Sequence, residues 1–244
     1  MNRGGHKRDI FFNDNDRREF LKLLAESIGM WRIEIHAYSL LNNHYHLLIH
    51  TPEGNISRAM RHIDGVYTQR FNLRHNRDGH LFRGRYKSII IEKEKYLLEV
   101  LRYIHLQAVR ANIVKQPGEH PWTSHWAYIH KKGGFPWLST NYFLKMFKHK
   151  QSDASKRLLD KFIKDRIPEE IEDFYSKERR PPILGSEKFI DTIRDKFLKN
   201  PKAFYEIPDS KFKKDRNLIN SINQIICDFY EIPLQKMTKT SRGK

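Results

Sequence analysis

The sequence predicts an α+β domain, with a mainly antiparallel sheet and packed helices, followed by a helical C-terminal region. Three observations lead there. A helical apolar period over residues 15–29 runs directly into two period-two segments joined by a short polar turn. Two further helical patterns cover 57–72 and 94–113. Beyond about residue 150 the chain turns lysine-rich and helical, broken by Pro181-Pro182, Pro201 and Pro208.

The elements follow in order. Asp9-Ile10-Phe11-Phe12 is a short apolar run, and Asn13-Asp14-Asn15-Asp16 supplies side-chain oxygens to cap a helix. Phe20, Leu21, Leu23, Leu24 and Ile28 then recur on one helical face. Residues 32–38 alternate apolar and polar as a half-buried strand does. Leu41-Asn42-Asn43 reads as a turn and 44–50 as the returning strand, which makes an antiparallel hairpin. The 57–72 helix carries Met60, Ile63, Val66, Tyr67 and Phe71. A basic loop, 74–84, leads into an expected third strand over 86–91. The 94–113 helix has Leu97, Leu98, Leu101, Ile104, Ala108 and Val109 on its apolar face, and Pro117-Gly118 and Pro121 end that section.

Charge narrows the function classes. The 244 residues include 46 Lys and Arg against 29 Asp and Glu, a net charge of +17, and 12% are aromatic. A chain this basic and this aromatic points to nucleic acid, with a solvated basic surface or an anionic lipid as the alternatives. No run approaches the roughly 18–20 uncharged apolar residues that cross a bilayer, so an integral membrane protein is not expected. MNRGGHKRDIFF lacks the apolar core of a secretory signal. Cys227 is the only cysteine, which excludes a disulfide framework and a Cys-rich zinc site and fits a reducing cytoplasm.

Three groups of residues can carry chemistry. His44 and His46 lie at i and i+2 on a strand, so both project to one face while Tyr45, Leu47 and Ile49 point to the other. Two adjacent imidazoles make a metal half-site, and oxygen ligands nearby would shift its preference toward Mg²⁺ or Mn²⁺; paired surface histidines are the plain alternative. His50 shares that face further along and reads as a surface or DNA-side residue. Tyr103 and Gln107, four apart on a helix, share a stripe turned away from the apolar face. They read either as a boundary pair or as a nucleophile with an oxygen ligand one turn away. In the basic segment, Arg74, Arg77, Arg83, Arg85 and Lys87 suit phosphates, and the aromatic residues among them suit stacking on unpaired bases; a solvated loop is the alternative.

Taken together, these residues resemble the single-tyrosine transposases of the HUH endonuclease superfamily, and more closely the REP-associated tyrosine transposases. Asn43-His44-Tyr45-His46-Leu47-Leu48-Ile49 is similar to the family's His-hydrophobic-His strand. Residues 79–88, GHLFRGRYKS, resemble its basic segment, residues 103–111, YIHLQAVRA, its nucleophile helix, and Pro121-Trp122-Thr123-Ser124 the segment that closes the domain. The resemblance implies a transposase domain over 1–130 with a ferredoxin- or RRM-like fold. Its first strand is expected to be shortened, because Met1 falls almost on the segment Asn2-Arg3-Gly4-Gly5. A helical lysine-rich region over 131–215 would add charge rather than chemistry. Residues 216–244 resemble the opening of the C-terminal DNA-binding domain of the replication initiator DnaA.

The resemblance also implies a mechanism. His44, His46 and Gln107 would hold a divalent metal, Mg²⁺ or Mn²⁺, and Tyr103 would attack single-stranded or hairpin DNA. A 5′-phosphotyrosine link and a free 3′-OH would result, and a 3′-OH could later rejoin the strand. DNA and a second copy of the chain are the partners implied. The rival from another class is a decayed relative that binds DNA hairpins without cutting. A zinc hydrolase built on His-x-His is disfavoured, because no Asp follows the histidine pair closely.

Overall fold

Alternation along the hairpin sets the architecture. In the computed structural model, which describes residues 1–130, 134–148, 152–177 and 180–198, strand β2 (Glu34–Leu41) pairs antiparallel with β3 (His44–His50). A short strand β1 (Asn2–Arg3) pairs with the other edge of β3, Asn2 opposite Tyr45 and Arg3 opposite His44. The three-stranded order is β1-β3-β2, so β3 is central. The segment expected to resemble the DnaA domain, 216–244, lies outside the described residues.

Each face of this sheet has its own helices. Tyr45 is fully buried against Phe20 of helix α1 (Asp14–Trp31), and Tyr67 of helix α2 (Ile56–Arg74) packs on the same Phe20. The Tyr45 hydroxyl donates to Asp64 of α2, which also accepts from the side chain of Asn2. Burial raises the Asp64 carboxyl to about 6, against the lowering effect of those two hydrogen bonds. His46, one residue along β3, faces the opposite helix α3 (Lys93–His105).

The start of α1 is secured as its sequence indicates. The Asn13 side chain accepts from the backbone N–H of Asn15 and Asp16, and Asp16 accepts in return from Phe12 and Asn13. Arg74 and His75 at the end of α2 then close on the same buried Asp16 carboxylate, both at 2.8 Å. One aspartate thus caps one helix and ties it to the end of the next.

Two sequence expectations need correction. The strand expected over 86–91 is reduced to β4 (Ile90–Ile91), which pairs in parallel with β5 (Ile183–Leu184). Residues 81–87 run beside the N-terminal segment and are joined to it at scattered points: Gly5 N–H to Leu81 O at 3.2 Å, Arg83 N–H to Arg3 O at 2.9 Å, and a reciprocal pair between Lys87 and Met1 at 2.8 Å each. The carbonyl of Gly84 takes the Asn2 side chain instead of a backbone partner, so no regular ladder forms. The helix expected over 94–113 divides at Leu106 into α3 and α4 (Gln107–Arg110). It stops early because Asn112 adopts φ 54°. Ile113 N–H then bonds Ala108 O and Asn112 N–H bonds Val109 O, the paired bonds of a left-handed C-terminal cap.

Helix α5 (His125–Ile129) ends just before residue 130, and the region past it adds α6 (Asn141–Phe147), α7 (Asp153–Lys164), α8 (Glu169–Ser176) and α9 (Glu187–Leu198). It is stitched to α3 in several places. Arg102 donates to Arg166 O at 2.9 Å, and its guanidinium lies 3.7 Å from the Phe162 ring centre. Tyr96 donates to Glu170. A buried polar chain runs from Ser124 to His105 (2.9 Å), on to His125 (3.3 Å) and then to Asp160 (3.1 Å). Among the described residues, no helix is long and apolar enough to cross a membrane.

That chain makes stability depend on pH. Burial above all holds His105 well below its ordinary pKa and His125 at about 4, where Asp160 offsets only part of the effect. The unfolded chain takes up these protons near pH 6.5 while the folded one resists, so stability is full above about 6.5 and falls as pH drops toward 4. His125 alone should remove on the order of 3 kcal/mol. Urea midpoints should therefore be level above about pH 6.5 and decline below it. Asp64, whose raised carboxyl adds stability as pH falls through about 6, opposes the trend. The histidine contribution is therefore read as the difference from a His125→Gln variant, and a difference that does not change down to about pH 4 would show that His125 is not buried neutral.

Candidate active site

The cluster begins on β3, where pairing on both edges leaves the side chains of His44 and His46 no freedom to exchange faces. Their rings meet edge to face, 5.2 Å between centres. His46 also meets the ring of Tyr103 edge to face at 5.9 Å. The structure thus brings together three of the four residues expected at the site, with His46 between the other two. Gln107 lies one turn beyond Tyr103, and its side-chain N–H₂ donates to the Tyr103 carbonyl at 2.9 Å. That bond fixes the amide and leaves its oxygen as an acceptor.

The face carrying the histidines is covered, which period-two alternation alone did not reveal. His46 is 7% exposed and Tyr103 only 5%. Burial, ahead of the positive charges of the amino terminus, Arg3 and Arg180, lowers His44 to about 4. Burial also holds His46 well below its usual value, with His44 the next cause. Both rings are therefore neutral at physiological pH, the form that can ligate a metal. Asn43 Oδ1 lies 2.6 Å from His44 Nδ1. A carboxamide oxygen only accepts, so Nδ1 carries the proton and Nε2 keeps its lone pair. Two neutral imidazoles side by side fit a divalent ion as a half-site.

Residues from the C-terminal region complete the surroundings. Tyr175 of α8 stacks on Tyr103 with ring centres 3.5 Å apart and planes 9° from parallel. The Arg110 guanidinium lies 5.3 Å from the Tyr103 ring and that of Arg180 lies 5.5 Å from the Tyr175 ring. Arg110 also pairs with Glu172 of α8. The region expected to add only charge therefore reaches the candidate nucleophile directly. Composition could not reveal this, since neither Tyr175 nor Arg180 stands in a motif.

The basic residues divide in two. Arg83, Arg85 and Lys87 are exposed and alternate with buried Tyr86. Arg74 is engaged by Asp16 and Glu19, and Arg77 lies over the rings of Phe12 and Phe71. The aromatic residues of the segment are not free to stack on bases: Tyr86 is 6% exposed, and Phe82 packs against Tyr45 and Tyr67. Two grooves flank the segment. One is lined by Arg58, Arg61 and Arg85, the other by Arg3, Lys7 and Arg83. Arg58 and Arg61 were legible in principle, because i, i+3 spacing puts two cations on one helix face.

The fold and the cluster together define a class: an α+β domain with a histidine pair on its central strand, facing a tyrosine on the covering helix, and with arginine-lined grooves beside residues 80–86. Residues 5–107 match the family model described as "Transposase IS200 like". That span contains His44, His46, Tyr103 and Gln107, and the match supports the transposase family. No curated protein and no solved structure matches the chain.

The stack on Tyr103 has a measurable consequence. Tyr175→Ala should leave Tyr103 several-fold more reactive toward a tyrosine nitrating reagent, read by peptide mapping, at a stability cost of roughly 3 kcal/mol. Unchanged reactivity in a folded variant would show that α8 does not shield the ring.

Proposed function

We propose that this protein is a metal-dependent transposase that cleaves and rejoins single-stranded or hairpin DNA through a tyrosine adduct. The observation that carries the reading is the contact between His46 and Tyr103, with His44 beside His46. His44, His46 and Gln107 would hold Mg²⁺ or Mn²⁺, whose contribution is to draw negative charge from the scissile phosphate. Tyr103 Oη forms a bond to phosphorus as the bond to the 3′ oxygen breaks. The phenol loses its proton and the departing 3′ oxygen gains one. The product is a 5′-phosphotyrosine, and attack by a 3′-OH reverses the step without ATP. Arg83, Arg85 and Lys87, with Arg58 and Arg61, supply phosphate contacts along the grooves. A second copy of the chain as partner is part of the same reading.

One observation favours a second reading, a binding protein that no longer cuts. Tyr103 is 95% covered and Tyr175 stacks on it, so DNA reaches the hydroxyl only if α8 yields. The two readings separate in a single assay. Full-length protein is incubated with a single-stranded hairpin and Mn²⁺, and denatured products are examined for DNA bound to protein. The transposase reading expects an adduct that maps to Tyr103, disappears in Tyr103→Phe, and is lost in His44→Ala and His46→Ala while most DNA affinity remains. Binding without adduct in both wild type and Tyr175→Ala supports the second reading.

The basic grooves give an independent expectation. Affinity should fall steeply with salt, and each of Arg58→Ala, Arg61→Ala, Arg83→Ala and Arg85→Ala should reduce the salt slope by about one unit or less. Arg74→Ala should act mainly on stability, because it breaks the pair with buried Asp16. Equal loss of DNA affinity from Arg74→Ala, with the fold intact, would redraw the interface.

A further inference from the structure

We propose that Glu34, His36 and His50 form a second metal site, for a divalent transition ion of the Zn²⁺ class, at the opposite end of the β2–β3 hairpin from His44. His50 lies four residues beyond His46 on β3, about 13 Å along the strand. The two sets of ligands therefore cannot share an ion.

The site arises from a local irregularity of the sheet. Glu34 and His50 are cross-strand partners, so they share a face. The register then shifts between Ile35 and Ala37, which leaves His36 as the unpaired residue of a bulge. A bulge re-aims a side chain, and here the imidazole comes to lie beside the other two groups. The ligand atoms of all three residues fall within 4.8 Å of one another. Two of the separations converge on one oxygen: Glu34 Oε2 is 3.6 Å from His36 Nε2 and 3.4 Å from His50 Nδ1. Ligands at about 2.0–2.1 Å from a tetrahedral zinc ion stand about 3.3–3.4 Å apart. A small side-chain adjustment at exposed His50 closes the set.

The surroundings prepare His36 as a ligand. Its Nδ1 lies 2.9 Å from the Ser139 carbonyl, which can only accept. The proton is therefore on Nδ1, and Nε2 turns its lone pair toward Glu34. A backbone carbonyl behind a ligating histidine is the usual means of fixing ring and tautomer. Phe143 and Tyr142 pack against the ring of His36, and the ammonium of Lys93 is held over Tyr142 at 4.7 Å. The Glu34 carboxylate offsets part of the positive charge of an ion there. Two imidazoles favour a transition metal over Mg²⁺ or Ca²⁺. Glu34 and His50 are 50% and 59% exposed in their side chains, which leaves a fourth position to water. Ser139 N–H also bonds Ile35 O at 2.9 Å, so an ion would pin the open end of the hairpin to the 138–140 segment.

The test uses full-length, tag-free, metal-stripped protein carrying His44→Ala and His46→Ala, so that the other pair cannot contribute. Titration with Zn²⁺ should show one saturable equivalent and a rise in Tm. Co²⁺ should give the intense visible absorption of a four- or five-coordinate ion. Adding His50→Ala or Glu34→Gln should weaken Zn²⁺ binding at least about tenfold and remove the rise in Tm. In case the double-alanine background does not fold, His50→Ala alone should bind one equivalent fewer than wild type. No saturable Zn²⁺ binding in the folded background, or binding indifferent to His50→Ala and Glu34→Gln, would reduce the cluster to a hydrogen-bonded His–Glu–His group and overturn the proposal.

Discussion

Strand β3 is hydrogen-bonded on both edges, and the rest of the structure depends on that constraint. With β1 on one side and β2 on the other, neither register nor facing can slip, because a one-residue shift would drive His46 among the aromatic rings and turn Tyr45 toward α3. The strand therefore sends Tyr45 toward Phe20 and Asp64 and sends His44 and His46 toward α3. Core and candidate site are two faces of one seven-residue strand. The aromatic face supplies the burial that holds the strand in place, and that rigidity aligns the imidazoles on the other.

Burial then shapes the chemistry. Neutral imidazoles can ligate without first losing a proton. Burial strengthens any field acting there. Two arginines flank the stacked pair of tyrosines, Arg110 beside Tyr103 and Arg180 beside Tyr175. Cations over ring faces are favourable in this setting.

The helix that bears Tyr103 is gripped from outside the matched span. Arg102, Tyr96 and His105, all on α3, bond to Arg166, to Glu170 and, through His125, to Asp160. Parallel pairing of β4 with β5 adds a further tie just before α3 begins. The position of the tyrosine is thus set jointly by the sheet beneath and by the helices beyond residue 150. A change in the C-terminal region would be transmitted to the site through packed side chains rather than through charge alone.

Much of this was legible in the residues themselves. Apolar periods located α1, α2 and the hairpin within a few residues, and Asn13 with Asp16 announced the cap that starts α1. Alternation placed Tyr45 in the core and His44 with His46 on the other face, because both are local properties of a strand. The end of α3–α4 was missed, since a left-handed Asn112 leaves no mark in an apolar pattern. The 86–91 segment was read as a strand because its local pattern is strand-like, but a ladder also needs a partner, and only Ile90–Ile91 finds one, in Ile183–Leu184. Contacts between distant parts of the chain were beyond local reading: Tyr175 on Tyr103, Arg74 on Asp16, and His36 brought beside Glu34 and His50 by a bulge. Each of these depends on where separate elements come to rest. Local sequence determines periodicity, capping and facing through short-range sterics and hydrogen bonds, whereas only the packed fold decides which faces are covered and which titratable groups meet.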